Sequence, residues 1–183
     1  MKILAISGSL RRDSYNSKLL RAAQELGADG CELELWEGLR AVPPYDEDDE
    51  AGAAPAVASF FDAIAGADAI LFSTPEYNSS IPGQLKNAID WASRPRATAP
   101  LRNKPVAVIG ASTGMFGAVW AQAELRKALA SAGARVLDSE LPVAAAHTKF
   151  DEEGLLTDHE IRERLRGLIE ELVSVAEPAP VPA

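Results

Sequence analysis

The sequence predicts an α/β fold in which an open, doubly wound sheet of five parallel strands carries helices on both faces. Short apolar runs alternate five times with longer segments of helical periodicity, which is the pattern of repeated strand–helix units. The first and third runs are apolar on both faces, as strands inside a covered parallel sheet are. The 183 residues suffice for one domain, which we place at residues 1–176.

The strands are expected at the apolar and alternating runs. Cys31–Trp36 alternates polar and apolar residues, which is typical of a half-buried edge strand. The fifth strand is expected to begin at Arg135–Leu137. The other strands are predicted at Lys2–Ile6, Ala69–Ser73 and Val106–Ile109.

Helices are predicted where apolar residues recur every three or four positions. Pro55 suits the first turn of a helix, because an N–H group at that position has no helical partner to lose. The Pro-rich ending Glu177–Ala183 cannot continue the last helix and predicts a disordered tail. The predicted helices are Lys18–Leu26, a segment from Pro55 through Ile64, Gln84–Ser93, Ala118–Ala132 and Asp158–Val175.

The segment between the second strand and the second helix contains an acidic run, Asp46–Glu50. Such a run predicts a solvated loop. The preceding Pro43–Tyr45 is stiff, and we expect it to form a wall of the binding site.

Three loops rich in Gly, Ser and Asn follow the carboxyl ends of strands: Gly8–Ser17, Thr74–Gly83 and Gly110–Gly117. In doubly wound sheets, ligands bind outside the carboxyl ends of the strands, where the strand order reverses. With the strand order 2-1-3-4-5, all three loops line one edge of the sheet. The sequence therefore predicts a binding site at that edge.

The first of these loops predicts a phosphate site. Free N–H groups at a helix start, together with hydroxyl groups and Arg11, are suited to hold an anion. The loop matches neither G-x-G-x-x-G nor G-x-x-x-x-G-K-[ST], so neither the dinucleotide nor the Walker fingerprint applies. Its two cations favour a terminal monophosphate over a triphosphate with magnesium. The alternative is a polar turn in which Ser14 or Asn16 only caps the helix.

Composition and charge exclude several classes of protein. The net charge of −9 argues against a nucleic-acid surface. Cys31 is the only cysteine, so neither an intrachain disulfide nor a multi-cysteine metal site is possible. His147 and His159 are far apart, which argues against zinc, and we expect both at the surface. Without a signal peptide or a run of membrane-spanning length, we expect a cytoplasmic protein with no membrane partner.

Two of the loops, and the helix after the second, resemble the NADPH-dependent FMN reductase family, which includes bacterial quinone, azo and chromate reductases. The resemblance extends from Met1 to about Leu172 and includes Pro43–Asp46. It rests on Gly8-Ser9-Leu10-Arg11 with Ser14 and Asn16, on Thr74-Pro75-Glu76-Tyr77-Asn78, and on Pro82-Gly83-Gln84-Leu85-Lys86-Asn87-Ala88-Ile89-Asp90-Trp91. It implies a flavodoxin-like fold, non-covalent FMN, NADPH or NADH as co-substrate, and a homodimer or homotetramer.

The resemblance also implies cofactor-binding roles for individual residues. The FMN phosphate would be held by side chains and backbone groups of the first loop: Ser9, Leu10, Arg11, Ser14, Tyr15 and Asn16. The isoalloxazine ring would lie against the second loop, at Pro75, Glu76, Tyr77 and Asn78. Ser112 and Gly114 of the third loop would close the remaining side. No catalytic side chain is implied, because the flavin N5 carries the chemistry.

The resemblance implies hydride transfer from NAD(P)H to FMN N5, then ping-pong transfer to a quinone, free flavin, azo compound or metal oxyanion. One alternative is a flavodoxin-type electron carrier that docks partners through its acidic surface. The other is a phosphate-ligand binding module without flavin.

Two further expectations concern single residues. Asp13 places a negative charge in the phosphate loop, which should weaken phosphate binding slightly unless Arg11 or Arg12 pairs with it. Trp91 lies on a helix, Gln84–Arg94, with apolar residues on more than one face, so we expect it in a subunit interface. The alternative is that Trp91 packs under the Arg94–Pro100 spacer.

Overall fold

Five parallel strands form one sheet in the order β2-β1-β3-β4-β5, in a computed structural model that describes residues 1–28 and 30–177. The strands are β1 (Lys2–Ser7), β2 (Glu32–Trp36), β3 (Ala69–Thr74), β4 (Pro105–Ala111) and β5 (Arg135–Val143). The helices are α1 (Tyr15–Leu26), α2 (Pro55–Ala65), α3 (Gly83–Ala92), α4 (Val119–Ser131) and α5 (His159–Ala176). The predicted fold class and strand order are confirmed.

The sheet separates two apolar cores because successive side chains of a strand point to opposite faces. In β1, Ile3 and Ala5 join the core under α1 and α5, whereas Leu4 and Ile6 join the core under α2, α3 and α4. Strands β3 and β4 are buried along their whole length. The continuous apolar runs in the sequence thus correspond to strands covered on both sides.

Helix α1 and strand β5 extend furthest beyond the segments named from the sequence. Helix α1 begins at Tyr15 rather than Lys18, so part of the predicted loop is its first turn. Strand β5 begins at Arg135, as predicted, and continues to Val143. It is an edge strand, and its acidic residues Asp138 and Glu140 both contact the Arg126 guanidinium at the surface, which is why the apolar pattern fades there.

The segment between β2 and α2 is more ordered than a solvated loop. The acidic run lies in a 3₁₀ helix, Glu47–Gly52, whose first turn is capped when the Asp48 N–H donates to the Asp46 carboxylate at 3.0 Å. A second 3₁₀ helix, Gly38–Ala41, precedes it. The predicted solvated loop is therefore wrong in its conformation, although most of its acidic side chains are exposed.

Trp91 belongs to the core of one chain. Its side chain is 1% exposed, its indole N–H donates to the Pro43 carbonyl at 2.9 Å, and its ring meets the Tyr45 ring edge-on. Asn87 donates to the same carbonyl at 2.7 Å. The expectation that Trp91 needs a second subunit is wrong, because Trp91 is buried within the chain and contacts Pro43 and Tyr45.

The end of the chain is described only as far as Glu177, the C-cap residue that directly follows α5. The rest of the predicted tail, residues 178–183, lies outside the described residues. Within residues 1–28 and 30–177, no helix is long and apolar enough to cross a membrane.

Candidate active site

The loops after β1, β3 and β4 surround a cleft of about 240 Å³ at the predicted edge of the sheet. The residues lining it are Ser9, Arg11, Ser14, Tyr15, Asn16, Pro75, Glu76, Tyr77, Ala111, Ser112 and Thr113. Three residues with an expected role, Leu10, Asn78 and Gly114, lie outside this lining. Two residues of the lining, Ala111 and Thr113, were not named from the sequence. Ala111 is the last residue of β4 and Thr113 lies in the loop after it, so the position of that loop after a strand was the signal that pointed to both residues.

The first turn of α1 offers backbone donors to the cleft. Ser14 caps the helix, because its hydroxyl accepts the Asn16 N–H at 3.2 Å. The N–H groups of Tyr15 and Ser17 have no acceptor within residues 1–28 and 30–177. Free N–H groups at a helix N-terminus attract anions. Ser14 can therefore cap the helix while free N–H groups of the same turn remain available to a phosphate.

Asn16 ties the start of α1 to the ends of β3 and β4. Its side chain is buried at 2% exposure. The carboxamide donates to the Ala111 carbonyl at 3.0 Å and accepts the Ala111 N–H at 2.9 Å and the Ser73 hydroxyl at 2.9 Å. Both lone-pair sites of its oxygen are thus used by the protein. Asn16 shapes the cleft by holding β3 and β4 against α1.

Hydroxyl groups and one close approach order the phosphate loop. Ser17 donates to Ser7 at 3.0 Å, and the hydroxyl of Ser9 accepts the Arg11 N–H at 3.3 Å. Gly8 packs beside Leu85 of α3, where a Cβ atom would come within 2.7 Å of the Leu85 Cδ2. A larger residue at this position would push the loop away from the sheet.

Asp13 in this loop has a partner other than the two arginines considered from the sequence. The ammonium of Lys18, not a loop arginine, pairs with Asp13 at 2.6 Å. This hydrogen bond lowers the pKa of the Asp13 carboxyl. Arg11 instead donates to the Asp13 carbonyl and lies 5.9 Å from the Tyr15 ring centroid. Since Lys18 neutralises Asp13, the positive charge of Arg11 remains for the cleft.

The loop after β3 is anchored by Glu76. Its carboxylate accepts the N–H groups of Trp120 at 3.1 Å and Ala121 at 3.2 Å, in the first turn of α4. Helix α4 has no side-chain cap of its own, because Ala118 stands at that position. A carboxylate at a helix N-terminus is favourable. Glu76 thus connects the second loop with the helix that follows the third.

Tyr77 projects from a tight turn. Its N–H and carbonyl pair with Ser80, and Asn78 and Ser79 between them have φ values of 53° and 58°. Two consecutive left-handed residues are typical of a type I′ turn, in which asparagine is favoured. Asn78 therefore serves the turn and is not brought to the cleft, while Tyr77 is 52% exposed at its rim.

The loop after β4 is fixed by backbone contacts. Ser112 accepts the Gly114 N–H on its hydroxyl at 3.0 Å, and its own N–H donates to the Val143 carbonyl at 3.0 Å. Gly117 has φ of 60° and packs so closely on the end of β5 that a Cβ would lie 2.7 Å from Pro142. Beyond this turn, the apolar side chains of Met115, Phe116 and Trp120 are exposed.

The cleft contains no acid–base or nucleophilic pair among the described residues. Its ionisable side chains are Arg11, Glu76 and two tyrosines, and the Glu76 carboxylate is already bonded to α4. Both histidines are exposed and away from the cleft, as predicted. Within residues 1–28 and 30–177 no group of acidic, histidine or cysteine side chains is arranged to hold a metal ion. The site is thus suited to hold a molecule that brings its own chemistry.

Comparison with known proteins agrees with this geometry. The model of the NADPH-dependent FMN reductase family matches residues 1–148. The chain belongs to this family. It is therefore an oxidoreductase of the class that uses FMN and NAD(P)H. It is 45% identical over 174 residues to the NAD(P)H-dependent FMN reductase of Pseudomonas aeruginosa, covering 94% of this chain and 93% of that protein.

Two further relatives support the same membership. A quinone reductase of Pseudomonas putida is 39% identical, covering 85% of this chain and 84% of its own. Among solved structures, the flavoenzyme NAD(P)H:(acceptor) oxidoreductase FerB from Paracoccus denitrificans is 36% identical with a TM-score of 0.84, covering 96% of each chain. The flavodoxin-like fold implied by the sequence is thereby confirmed.

The residues of the cleft fit an FMN cofactor. The free N–H group of Tyr15, the Ser9 hydroxyl and the Arg11 guanidinium provide donors for a phosphate. Pro75, Tyr77 and Ala111 provide apolar surface in the same cleft. A flavin mononucleotide has this same division between an anionic group and a flat aromatic ring.

Proposed function

We propose that this protein catalyses the reduction of a quinone-type small molecule by NAD(P)H through bound FMN, in a ping-pong reaction. The observation that carries the proposal is the cleft itself, in which a phosphate-binding helix start and an open apolar end occur without any acid–base pair. The names of the relatives support the donor and the acceptor class.

The chain's part in the reaction is binding and positioning. We assign the phosphate to Ser9, Arg11 and the first turn of α1, with Leu10 and Ser14 shaping the loop. We assign the ring to Pro75, Tyr77 and the Ser112–Gly114 turn, with Glu76 and Asn16 holding the surrounding elements in place. When bound, FMN supplies the hydride and electron chemistry.

The open end of the cleft supports the ping-pong order. Tyr77 stands half-exposed at the rim, and no segment of residues 1–28 or 30–177 closes over it. In the ping-pong order that we propose, NAD(P)H and the acceptor use this opening one after the other. The proposal also includes a homodimer or homotetramer and a cytoplasmic location.

A spectrum followed by a reduction test decides the function. We expect the purified protein to be yellow, to release FMN rather than FAD on heating, and to lose its flavin absorption when NADPH is added anaerobically. Addition of benzoquinone should then restore the oxidised spectrum. A colourless protein that takes up no FMN would contradict the proposal and favour the phosphate-binding module.

A flavodoxin-type electron carrier is the second candidate. The net charge of −9 favours this candidate, because an acidic surface attracts basic partner proteins. The same experiment separates the two. A carrier would keep its oxidised spectrum with NADPH alone and would be reduced only after a partner reductase is added.

A further inference from the structure

A second cavity lies behind the phosphate loop, on the side of the loop that faces β2. Its volume is about 270 Å³. Its floor comes from Ala5 of β1 and Leu35 of β2, which are direct neighbours in the sheet. Ser9 and Arg11 line both this cavity and the cleft, so the phosphate loop separates the two spaces.

Four arginines surround this second cavity. Arg11 and Arg12 come from the phosphate loop, Arg21 from α1 and Arg40 from the 3₁₀ helix after β2. The only acidic side chain in the lining is Glu37. With Arg11 assigned to the FMN phosphate, Arg12, Arg21, Arg40 and Glu37 still give a net charge of two positive units around one concave surface, in a protein whose net charge is −9. Concave walls concentrate such a field and raise the local concentration of anions.

Two of these arginines are free to bind a ligand. Arg40 donates to the Leu10 carbonyl at 2.7 Å and Arg11 to the Asp13 carbonyl, so both are partly engaged. Arg12 and Arg21 have no hydrogen-bond or ion-pair partner among the described residues, 1–28 and 30–177, and both are exposed. Glu37 has no ion-pair partner in the same part of the chain. The cavity therefore holds unneutralised guanidinium groups.

We propose that this cavity binds a phosphomonoester group, separate from the FMN phosphate. Guanidinium groups match phosphate oxygens in pairs of parallel hydrogen bonds. The Ser7 hydroxyl lines the same space and only accepts hydrogen bonds, from the Ser17 hydroxyl and the Ser9 N–H, so its own proton remains as a further donor. The phosphate has two possible sources: the 2′-phosphate of NADPH, which rests on the proposed function, or free inorganic phosphate. NADH lacks this group, so the first source makes the cavity a determinant of NADPH preference.

The test is calorimetric titration of the FMN-loaded protein with 2′,5′-ADP, 5′-AMP and inorganic phosphate. If the source is NADPH, 2′,5′-ADP binds about tenfold or more tightly than either of the others, which corresponds to one charge-assisted hydrogen bond. If the source is free phosphate, inorganic phosphate binds as well as 2′,5′-ADP. Absence of binding by all three at millimolar concentration would overturn the proposal.

Variants locate the binding. The double variant Arg12→Gln/Arg21→Gln should weaken the ligand about tenfold or more, and Glu37→Gln should strengthen it by removing the opposing charge. The control Arg96→Gln/Arg164→Gln makes the same charge change at exposed positions away from the cavity and should bind as the wild type does. Equal affinity of the cavity variant and the control would assign the phosphate to another site.

Kinetics distinguish this proposal from the proposed function. If the phosphate comes from NADPH, the cavity variant should raise KM for NADPH, leave KM for NADH unchanged, and retain its FMN. Failure of both NADPH and NADH to reduce the flavin of the wild type would contradict the proposed function, whereas the calorimetric result for phosphate would stand on its own.

Discussion

Asn16 and Arg11 occupy the same loop but have different tasks. The Asn16 carboxamide makes all its observed hydrogen bonds to Ala111 and Ser73, inside the protein. The Arg11 guanidinium is exposed and faces the cleft. At the scale of single residues, Asn16 therefore stabilises the fold at the site, whereas Arg11 is the side chain that we propose contacts the FMN phosphate.

Asn16→Ala should destabilise the protein even without FMN. It leaves the buried N–H and carbonyl of Ala111 and the Ser73 hydroxyl without their partner, at a cost of about 2–4 kcal/mol in the free energy of unfolding. Urea denaturation of the apoprotein measures this. Ser17→Ala is the matched control, because it loses one partly exposed hydrogen bond, worth about 1 kcal/mol or less. An Asn16 variant as stable as the control would contradict the assignment.

Arg11→Ala should weaken FMN binding with little effect on folding. Loss of a charged hydrogen bond to the phosphate corresponds to about 1.5–3 kcal/mol of binding free energy. The measurement is titration of the apoprotein with FMN, followed by quenching of flavin fluorescence. Arg96→Ala, in the exposed spacer after α3, should retain wild-type affinity. Unchanged affinity of the Arg11 variant would remove this residue from the phosphate site.

At the scale of elements, helix α4 depends on a cap from another loop. Glu76→Ala leaves the N–H groups of Trp120 and Ala121 without an acceptor, which should cost about 1–2 kcal/mol of stability. Glu76→Gln keeps an oxygen acceptor without the charge and should lose about half of that. Amide hydrogen exchange at Trp120 and Ala121 should accelerate in the alanine variant. Equal exchange in Glu76→Ala and the surface control Glu124→Gln would disprove the cap.

Helix α5 should make stability depend on pH through Asp158. The carboxyl caps the helix by accepting the Ile161 N–H at 3.1 Å and pairs with Lys149 at 2.6 Å, and these contacts lower its pKa, the Lys149 hydrogen bond most. Because the folded pKa is below the unfolded one, the stabilisation is present above the unfolded pKa. It is lost as the pH falls through the folded value.

Asp158→Asn retains a capping oxygen but has no charge to titrate. It should be less stable than the wild type at pH 7, and the difference should shrink on acidification below about pH 4. Urea midpoints at both pH values measure this, with Glu152→Gln as an exposed control. A difference that does not change with pH would show that the ion pair contributes nothing.

At the scale of the whole molecule, exposed apolar surface lies near the start of α4 and not on α3, where it was expected. The outer face of α3 carries the ion pair of Lys86 and Asp90 at 2.7 Å. The exposed aromatic side chains instead lie before and within α4, where the rings of Phe116 and Trp120 meet edge-on at 4.8 Å. Clustered exposed apolar groups mark interaction surfaces.

We therefore expect oligomers to form through the start of α4. Light scattering at micromolar concentration should give the mass of a dimer or tetramer for the wild type. Phe116→Ser/Trp120→Ser should reduce that mass. Trp91→Ala should instead destabilise the monomer by about 3–5 kcal/mol, because it empties a core position. A monomeric wild type would contradict the oligomer, and an unaffected double variant would place the interface elsewhere.

The sequence by itself determined the fold class, the loops that form the site and the family, whose flavodoxin-like fold carries the strand order. These properties follow from local patterns: apolar runs of strand length, helical periodicity, and polar loops after strands, all readable from neighbouring residues. The cleft residues from Ser9 to Asn16 and from Pro75 to Tyr77 were predicted for the same reason, since each set is one continuous loop.

Only the tertiary structure decided which partner each polar group meets. Asp13 pairs with Lys18 one turn into the helix, Glu76 reaches across to α4, and Trp91 contacts Pro43 and Tyr45. These partners are set by how loops from distant strands pack together, which residue type and spacing do not encode. Arg40 lines the same cavity as the arginines of the phosphate loop for the same reason. Strand β2 lies next to β1 in the sheet, so the segments that follow these two strands meet at one cavity.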